Sequence, residues 1–340
     1  MTITRIWQAG AETQSIYEYP TFGGAAAVTV STTQKKTGAA AFLYGNSTNQ
    51  QAYGIIPISA TRQVRFGGFH HPALIQSMNW FAVLNASNTE LVRIEFNADL
   101  SVEIFVANVS VATTASGITE DTWKHWGVDI KVDSSGGWVD VYRDGVLFCT
   151  FSGNTGNSDI GYARHGRGVN ASDNGYQNYW DDIYIDDTTG ESQGTKPPIR
   201  RFYFVTPNGN GNYSQWDGSD GNSTDNYLLV DDVPHDTDTT YITTVVADEL
   251  DSFAMTTFTL LSGQQIVSVI PIALAKRNGT TEQLAAGTRL SSTDLIGSDQ
   301  SPSSTYAPIW ERQTTKPGSG SWTQADLDAL EVVVKSRGTY

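Results

Sequence analysis

Sugar hydrolysis needs two carboxyls at a set separation, about 5–5.5 Å for retention and about 6.5–9.5 Å for inversion. Glu95 and Glu103 come nearest to such a pair in this sequence. Each lies in a short alternating run, with Val92, Ile94 and Phe96 on one face of the first and Val102, Ile104 and Val106 on one face of the second. The alternation turns both glutamates outward on neighbouring predicted strands, where Arg93 can pair across them. That pattern reads as a charge ladder, not as an acid and a nucleophile. No Gly-x-Ser-x-Gly occurs, and His70-His71 precede Pro72 with no further ligand at metal spacing, which reads as a surface loop. No catalytic residue is expected.

Asp181 and Asp182 lie in the β-rich run Asn178–Asp186. If Ile183 and Ile185 point inward, Asp181 is inward or at the rim. A buried carboxylate must accept hydrogen bonds or meet a cation. One reading has Asp181 accepting backbone N–H groups; the other has it holding calcium, a cation of oxygen ligands, with nearby loop carbonyls. No other cofactor is expected. The Asp-rich stretches Asp217–Gly221 and Asp231–Asp238 lack the spacing of a calcium loop and read as polar turns.

Arg164–Tyr179 is the candidate recognition loop, long and rich in Gly and Asn. Asn170, Asp173, Asn174 and Gln177 offer hydrogen bonds to sugar hydroxyls, and Tyr176, Tyr179 and Trp180 offer rings for a sugar face. The alternative is a cap whose aromatics pack onto the sheet or a neighbouring subunit. Trp123, Trp126 and Trp138 read as packing residues.

The elements that must position these groups are strands nearly throughout. Gln63–Phe69, Trp80–Leu84, Glu90–Asn97, Leu100–Val106, Trp123–Val132, Gly137–Arg143, Val146–Phe151 and Asn178–Asp186 are short β-rich runs between turn residues. Many short strands without intervening helices predict an all-β antiparallel sandwich. Asp144-Gly145 predicts a type I′ hairpin. A second series is predicted at Ile199–Val205, Asn226–Val230, Thr239–Ala247, Ser252–Leu260 and Ile266–Ala275, then a helix over Gln324–Arg337 capped by Thr323 and Asp326. Between the series, Thr188–Pro198 has no apolar periodicity and ends in Pro-Pro. The division is therefore residues 1–190, a linker at 191–198, and 199–340.

Of the 340 residues, 21 are Lys or Arg and 36 Asp or Glu, a net charge of −15. That acidity disfavours nucleic acid and anionic membranes as partners. No apolar run reaches membrane length, the opening residues do not resemble a signal peptide, and the single Cys149 excludes an intrachain disulfide.

Trp123–Ile130 followed by Asp140-Val141-Tyr142-Arg143-Asp144-Gly145-Val146-Leu147 resembles the laminin-G-like and concanavalin-A-like lectin/glucanase jelly rolls. Tyr179–Asp187 looks like the last long strand of that fold. The opening Ile6–Glu12 and the closing Ser321-Trp322-Thr323 resemble structural proteins of tailed bacteriophages. The resemblance implies a jelly roll over 1–190 and a second β-sandwich module with a C-terminal helix over 199–340. It implies a non-enzymatic protein on the virion surface, in a fibre, spike or tail tip, binding a host glycan beside other virion proteins. It also implies a homo-oligomer, a trimer in such proteins. The alternative is a capsid decoration or cement protein without a receptor role. The Glu-x-Asp-x-x-Glu strand of the glucanases is missing.

Overall fold

The structure, a computed structural model, describes residues 3–24, 28–45, 51–73, 75, 77–167 and 177–338. The chain divides into two compact units, Met1–Tyr203 and Phe204–Tyr340. Among the described residues no helix is long and apolar enough to cross a membrane.

The first unit runs β1 (Thr4–Ala9), β2 (Thr21–Gly24), β3 (Val28–Ser31), β4 (Ala41–Tyr44) and β5 (Ala52–Thr61). Next come β6 (Gln63–Pro72), β7 (Met78–Leu84), β8 (Glu90–Phe96), β9 (Val102–Val106) and β10 (Val109–Thr113). It closes with β11 (Lys124–Lys131), β12 (Gly137–Arg143), β13 (Val146–Gly153), β14 (Ile160–Arg167) and β15 (Asn178–Asp187). One sheet has the order β13-β12-β11-β6-β15-β4-β3, with β1 also paired to β15; the other has the order β10-β9-β8-β7-β14-β5-β2. Every pairing is antiparallel, as the run of short alternating strands requires. Trp126, Val128 and Ile130 of one sheet and Val92, Ile94 and Phe96 of the other enter one core. Asp144 and Gly145 take φ of 50° and 76°, the paired positive values of a type I′ turn.

Strand β6 continues through His70 and His71, so neither lies in a surface loop. His70 is fully buried, stacked on Trp180 at 4.4 Å between ring centres, and bonded to Asn178 Oδ1 at 3.1 Å. His71 is buried on the other face of the strand. Pro72 ends the strand, where its missing N–H costs no ladder bond.

Thr188–Pro198 is fastened along the outer face of the first sheet. Gly190 N donates to Gln63 Oε1 (3.2 Å), Glu191 pairs with Arg65 (2.8 Å), and Gly194 N donates to Asp140 Oδ2 (3.2 Å). Pro197 is buried against Gly127, where a Cβ would stand 2.6 Å from the proline ring. The polar residues that alternation turns outward from β6, β11 and β12 are thus satisfied by this strap: Gln63, Arg65 and Asp140 directly, and Asp129 through Arg65.

The second unit holds β16 (Pro207–Ser214), β17 (Asp217–Gly218), β18 (Ile242–Thr243), β19 (Leu250–Met255) and β20 (Ile272–Ala275). It continues with β21 (Gln283–Leu290), β22 (Thr293–Ile296), β23 (Ala307–Trp310), α1 (Gln324–Asp328) and β24 (Glu331–Arg337). A five-stranded sheet, β16-β19-β24-β21-β22, is accompanied by the pairs β17–β18 and β20–β23. The β20–β23 ribbon contributes Ile309, Ala273 and Ala275 to the core beneath the sheet, giving two β layers. Ile199–Val205 is not a strand, and Asn226–Leu229 is a 3-10 turn. The capping box of Thr323 and Asp326 is present, but the helix lasts little more than one turn. The β-branched run Val332-Val333-Val334 then forms the central strand β24, because such side chains lose rotamers in a helix and pack well on a sheet.

Candidate functional site

The two sheet faces that point away from the first unit's core differ. The β6-containing sheet lies under the strap, whereas the other sheet carries no comparable strap among the described residues. Its outward residues follow from register. Ile55, Arg164, Ala82, Arg93 and Phe105 oppose one another in a cross-strand row. Beside it Tyr53 opposes Gly166, Asn79 opposes Glu95, and Glu95 opposes Glu103. Gly166 needs to be glycine: its φ is +124°, and a Cβ would meet the Tyr44 ring at 2.4 Å. With no side chain there, Tyr53, Asn79 and Arg164 close over a gap too small to admit a water molecule, and Asn79 is buried.

The charges on this face are paired with each other. Arg93 donates to Glu95 (2.6 Å), Glu90 (2.9 Å) and Asn108 (2.8 Å), and lies 3.7 Å over the Phe105 ring. Glu90 also takes Arg164 at 3.3 Å, and Arg164 lies 5.6 Å over Tyr53. Burial works against the Arg93 charge, but Glu90 and Glu95 more than offset it and hold the guanidinium above its usual range. Glu95 and Glu103 are therefore cross-strand neighbours of which one is committed to Arg93, as the charge ladder predicts; Glu103 accepts from Asn97 at 3.2 Å.

Beneath the face, His165 Nδ1 lies 2.9 Å from Tyr19 Oη and 3.2 Å from Tyr44 Oη. Burial drives the His165 pKa well below its ordinary value and both tyrosines well above theirs, so all three are neutral at pH 7.

Of the residues expected to bind a glycan, Asn170, Asp173, Asn174 and Tyr176 lie outside the described residues. Gln177 is exposed and accepts from the Tyr179 hydroxyl. Tyr179 is 8% exposed and edge-on to His71. Trp180 is no platform: it is fully buried, 5.2 Å from Trp80 and stacked on His70. The reason is a bulge. Asp182 has φ of 51° and the register shifts between Asp181 and Tyr184, so Trp180 and Ile183 both face inward despite opposite parity. Parity counted back from Ile183 therefore puts the wrong side chain inside. Arg164, the first residue of the candidate loop, is instead in strand β14, which runs to Arg167, and Asn178 and Tyr179 are in β15; Tyr53 and Asn79 are not among the expected residues, and the alternation Ala52, Gly54, Ile56, Ile58 is the available signal for β5.

The bulge also explains Asp181. Before it, Asn178–Trp180 pair with β4; after it, Ile183–Asp187 pair with β1. The two carboxylates bind the chain that leaves at this junction. Asp181 accepts Lys36 N (2.8 Å), Thr37 N (3.1 Å) and Asp182 N (2.7 Å), while Asp182 accepts Phe202 N (2.7 Å) and Thr37 Oγ1 (2.9 Å). Nearby Glu12 accepts Ala39 N at 2.6 Å. Burial raises the pKa of all three acids, that of Glu12 to about 8, and the charges of Asp181 and Asp182 add to the Glu12 shift. The partners of Asp181 are N–H donors, which a cation would have to displace. Among the described residues no group of three or more His, Cys, Asp or Glu is disposed to hold a metal.

No known family matches the sequence, and neither does any curated protein. Similar solved structures include a galectin-like protein of unknown function from Bacillus subtilis, 7% identical over 54% of this chain and 97% of that one, with a TM-score of 0.38. Another is domain 4 of an extracellular arabinanase from Geobacillus stearothermophilus, solved with arabinotriose (14%, 55% and 94%, TM-score 0.37). A third is an alginate lyase from a Chlorella virus (10%, 54% and 99%, TM-score 0.39). At these scores the likeness carries no argument about ligand or chemistry. The chain is an all-β protein of two sandwich-type units.

Proposed function

We propose that the first unit binds a neutral glycan on the outer face of the β5–β14–β7–β8–β9 sheet, without turning it over. The observation that carries this reading is the internal pairing of Arg93 and Arg164 with Glu90 and Glu95 on a sheet face that carries no strap among the described residues. Salt-bridged guanidiniums keep N–H groups for hydroxyls but lose their attraction for anionic polymers. Tyr53 adds a ring, which with the guanidiniums gives the mix of apolar and polar groups that sugars require. The segment 168–176, which holds four of the residues expected to bind a glycan, lies outside the described residues. Glu95 bound to Arg93 and His165 buried neutral do not form an acid–base pair with each other.

The wider reading is a phage virion structural protein, exposed at the particle surface as a fibre, spike or tail-tip component that aids adsorption. It rests on the sequence resemblance. The burial of Tyr179 and Trp180 favours a second reading, a capsid decoration protein whose aromatics serve packing only. An array of neutral oligosaccharides separates them. Tyr53→Ala should weaken binding about tenfold, roughly 1.4 kcal/mol, with an unchanged far-UV spectrum. Wild-type protein that binds no arrayed sugar would favour decoration, and release of reducing ends would end the non-enzymatic half of the reading.

A further inference from the structure

The outer face of the β5–β14–β7–β8–β9 sheet carries an aromatic ring on each of its two flanking strands. Tyr53 stands on β5, and Phe105 stands on β9, four strand steps away. Phe105 lies in one cross-strand row with Ile55, and Tyr53 is two residues from Ile55, so both rings are on the same side of the sheet. Both are half-buried, so part of each ring meets solvent.

Each ring is held from below or beside. The Tyr53 ring rests on Gly23 of the neighbouring strand β2, where a Cβ would stand 2.4 Å from it. The Arg164 guanidinium lies 5.6 Å from the Tyr53 ring centre, and that of Arg93 lies 3.7 Å from the ring centre of Phe105. Between the rings the charges form a chain. Glu90 joins Arg164 (3.3 Å) to Arg93 (2.9 Å), and Arg93 continues to Glu95 (2.6 Å). The face thus runs ring, neutralised polar strip, ring.

The spacing sets the size of the ligand. Neighbouring strands lie about 4.8 Å apart, so four steps separate the two rings by ~19 Å. An extended sugar chain advances by roughly one strand spacing per residue, which makes the span about four residues. One sugar can reach one ring only. It cannot be enclosed there either, because the gap beside Tyr53 is too small to admit a water molecule. Affinity on such a face must accumulate along a chain. Once one ring is engaged, the other meets the same chain at high effective concentration. The side chains between are already fixed by their ion pairs, so little has to be ordered on binding.

We propose that this face takes a stretch of linear neutral glycan about four sugar residues long, laid across the strands from Tyr53 to Phe105. The inference rests on the glycan reading above and adds to it the length and the course of the ligand.

Calorimetric titration of the full chain tests it, with cello-, malto- and manno-oligosaccharides of two to about six residues and with oligomers of any other neutral sugar that the array selects. In a series that binds, the Kd should fall about tenfold or more from the disaccharide to the tetrasaccharide and then level off. Tyr53→Ala and Phe105→Ala should each weaken the tetrasaccharide about tenfold but the disaccharide by no more than about twofold, because a short sugar can use the ring that remains. If Phe105→Ala fails to fold, the wild-type length series decides alone. A disaccharide bound as tightly as the tetrasaccharide, or a length dependence unchanged in folded Phe105→Ala, overturns this inference and leaves the glycan reading standing. No binding at any length, together with an empty array, overturns the glycan reading and this inference with it.

Discussion

The first unit and the second spend their apolar residues differently. In the first, Trp80, Trp126, Trp180, Phe66, Phe81 and Phe96 are all fully buried in one continuous core. In the second, Leu228, Val245, Val246, Leu261 and Trp310 are exposed, and the buried residues fall into two small clusters. A unit with a large single core can place charges and polar rings on its sheet face and keep them for a ligand. The second unit, with smaller clusters, also has a capped helix turn and many turn hydrogen bonds. The contrast is one of cores: one continuous cluster in the first unit, two small ones in the second.

The largest expected effect lies in the first core. Trp180→Ala should destabilise the first unit by about 3–5 kcal/mol, since it opens a cavity between Trp80, His70 and Phe66. Hydrogen exchange on the full chain should show lost protection in β6 and β15. Protection in β19 and β24 should hold, because the two cores are separate clusters. Equal loss in both units would break the comparison.

The same contrast governs what the sequence discloses. The strands of the first unit are legible because their alternation serves a core: Trp126, Val128 and Ile130 face in, and Asp129 faces out. Where a strand carries few apolar residues, the signal fails. Pro207–Ser214 is a strand of Asn, Gly and Ser whose pairing with β19 depends on context, not propensity. Gln283–Leu290 is likewise invisible, and Glu331–Arg337 imitates a helix because Leu327, Leu330, Val333 and Val334 happen to have helical spacing. The site was half legible. The ladder of Arg93, Glu95 and Glu103 follows from alternation alone. Tyr53, Asn79 and Arg164 join it only through strand order, and the bulge at Asp182 defeats any parity count from Ile183. The strap was unreadable for a related reason: a segment without periodicity can be fastened by its backbone as well as by its side chains.

Acid–base linkage gives a smaller effect with a definite sign. Glu12, Asp181 and Asp182 have folded pKa values raised by burial, so the folded state holds protons that the unfolded chain has lost. Their contribution is fully present below the unfolded carboxyl values and is lost as pH rises through the folded ones, about 8 for Glu12. Buried His70, His125 and His165 act oppositely. Their lowered values, about 3 for His70 and about 4 for His125, cost stability as pH falls below the ordinary histidine range. Stability of the first unit should therefore peak near the ordinary histidine pKa of about 6.5. Between there and pH ~8 it should fall by up to about 2 kcal/mol per proton released. Thermal melts of wild type and Glu12→Gln check this; the variant should show a flatter alkaline limb. A midpoint that rises steadily through this range would contradict the burial of the acids.

The smallest expected effect concerns calcium, and it decides how that acidic cluster is neutralised. If a cation held Asp181, saturating calcium at about a hundred times its Kd would add about 2.7 kcal/mol. In a unit of this size that raises the midpoint by roughly 5–10 °C. Bound calcium would also make the acids give up their protons and so remove the alkaline limb. The observed donors argue otherwise. Lys36 N, Thr37 N and Asp182 N already occupy the Asp181 oxygens, and Phe202 N and Thr37 Oγ1 occupy those of Asp182. An N–H group aimed at a carboxylate repels a cation placed on the same lone pair. The midpoint in calcium should therefore equal that in EDTA to within about 1 °C, well under 1 kcal/mol, with the alkaline limb intact in both. A rise of several degrees together with a flattened limb would assign Asp181, Asp182 and Glu12 to a metal site, and the first unit would then owe part of its stability to an ion.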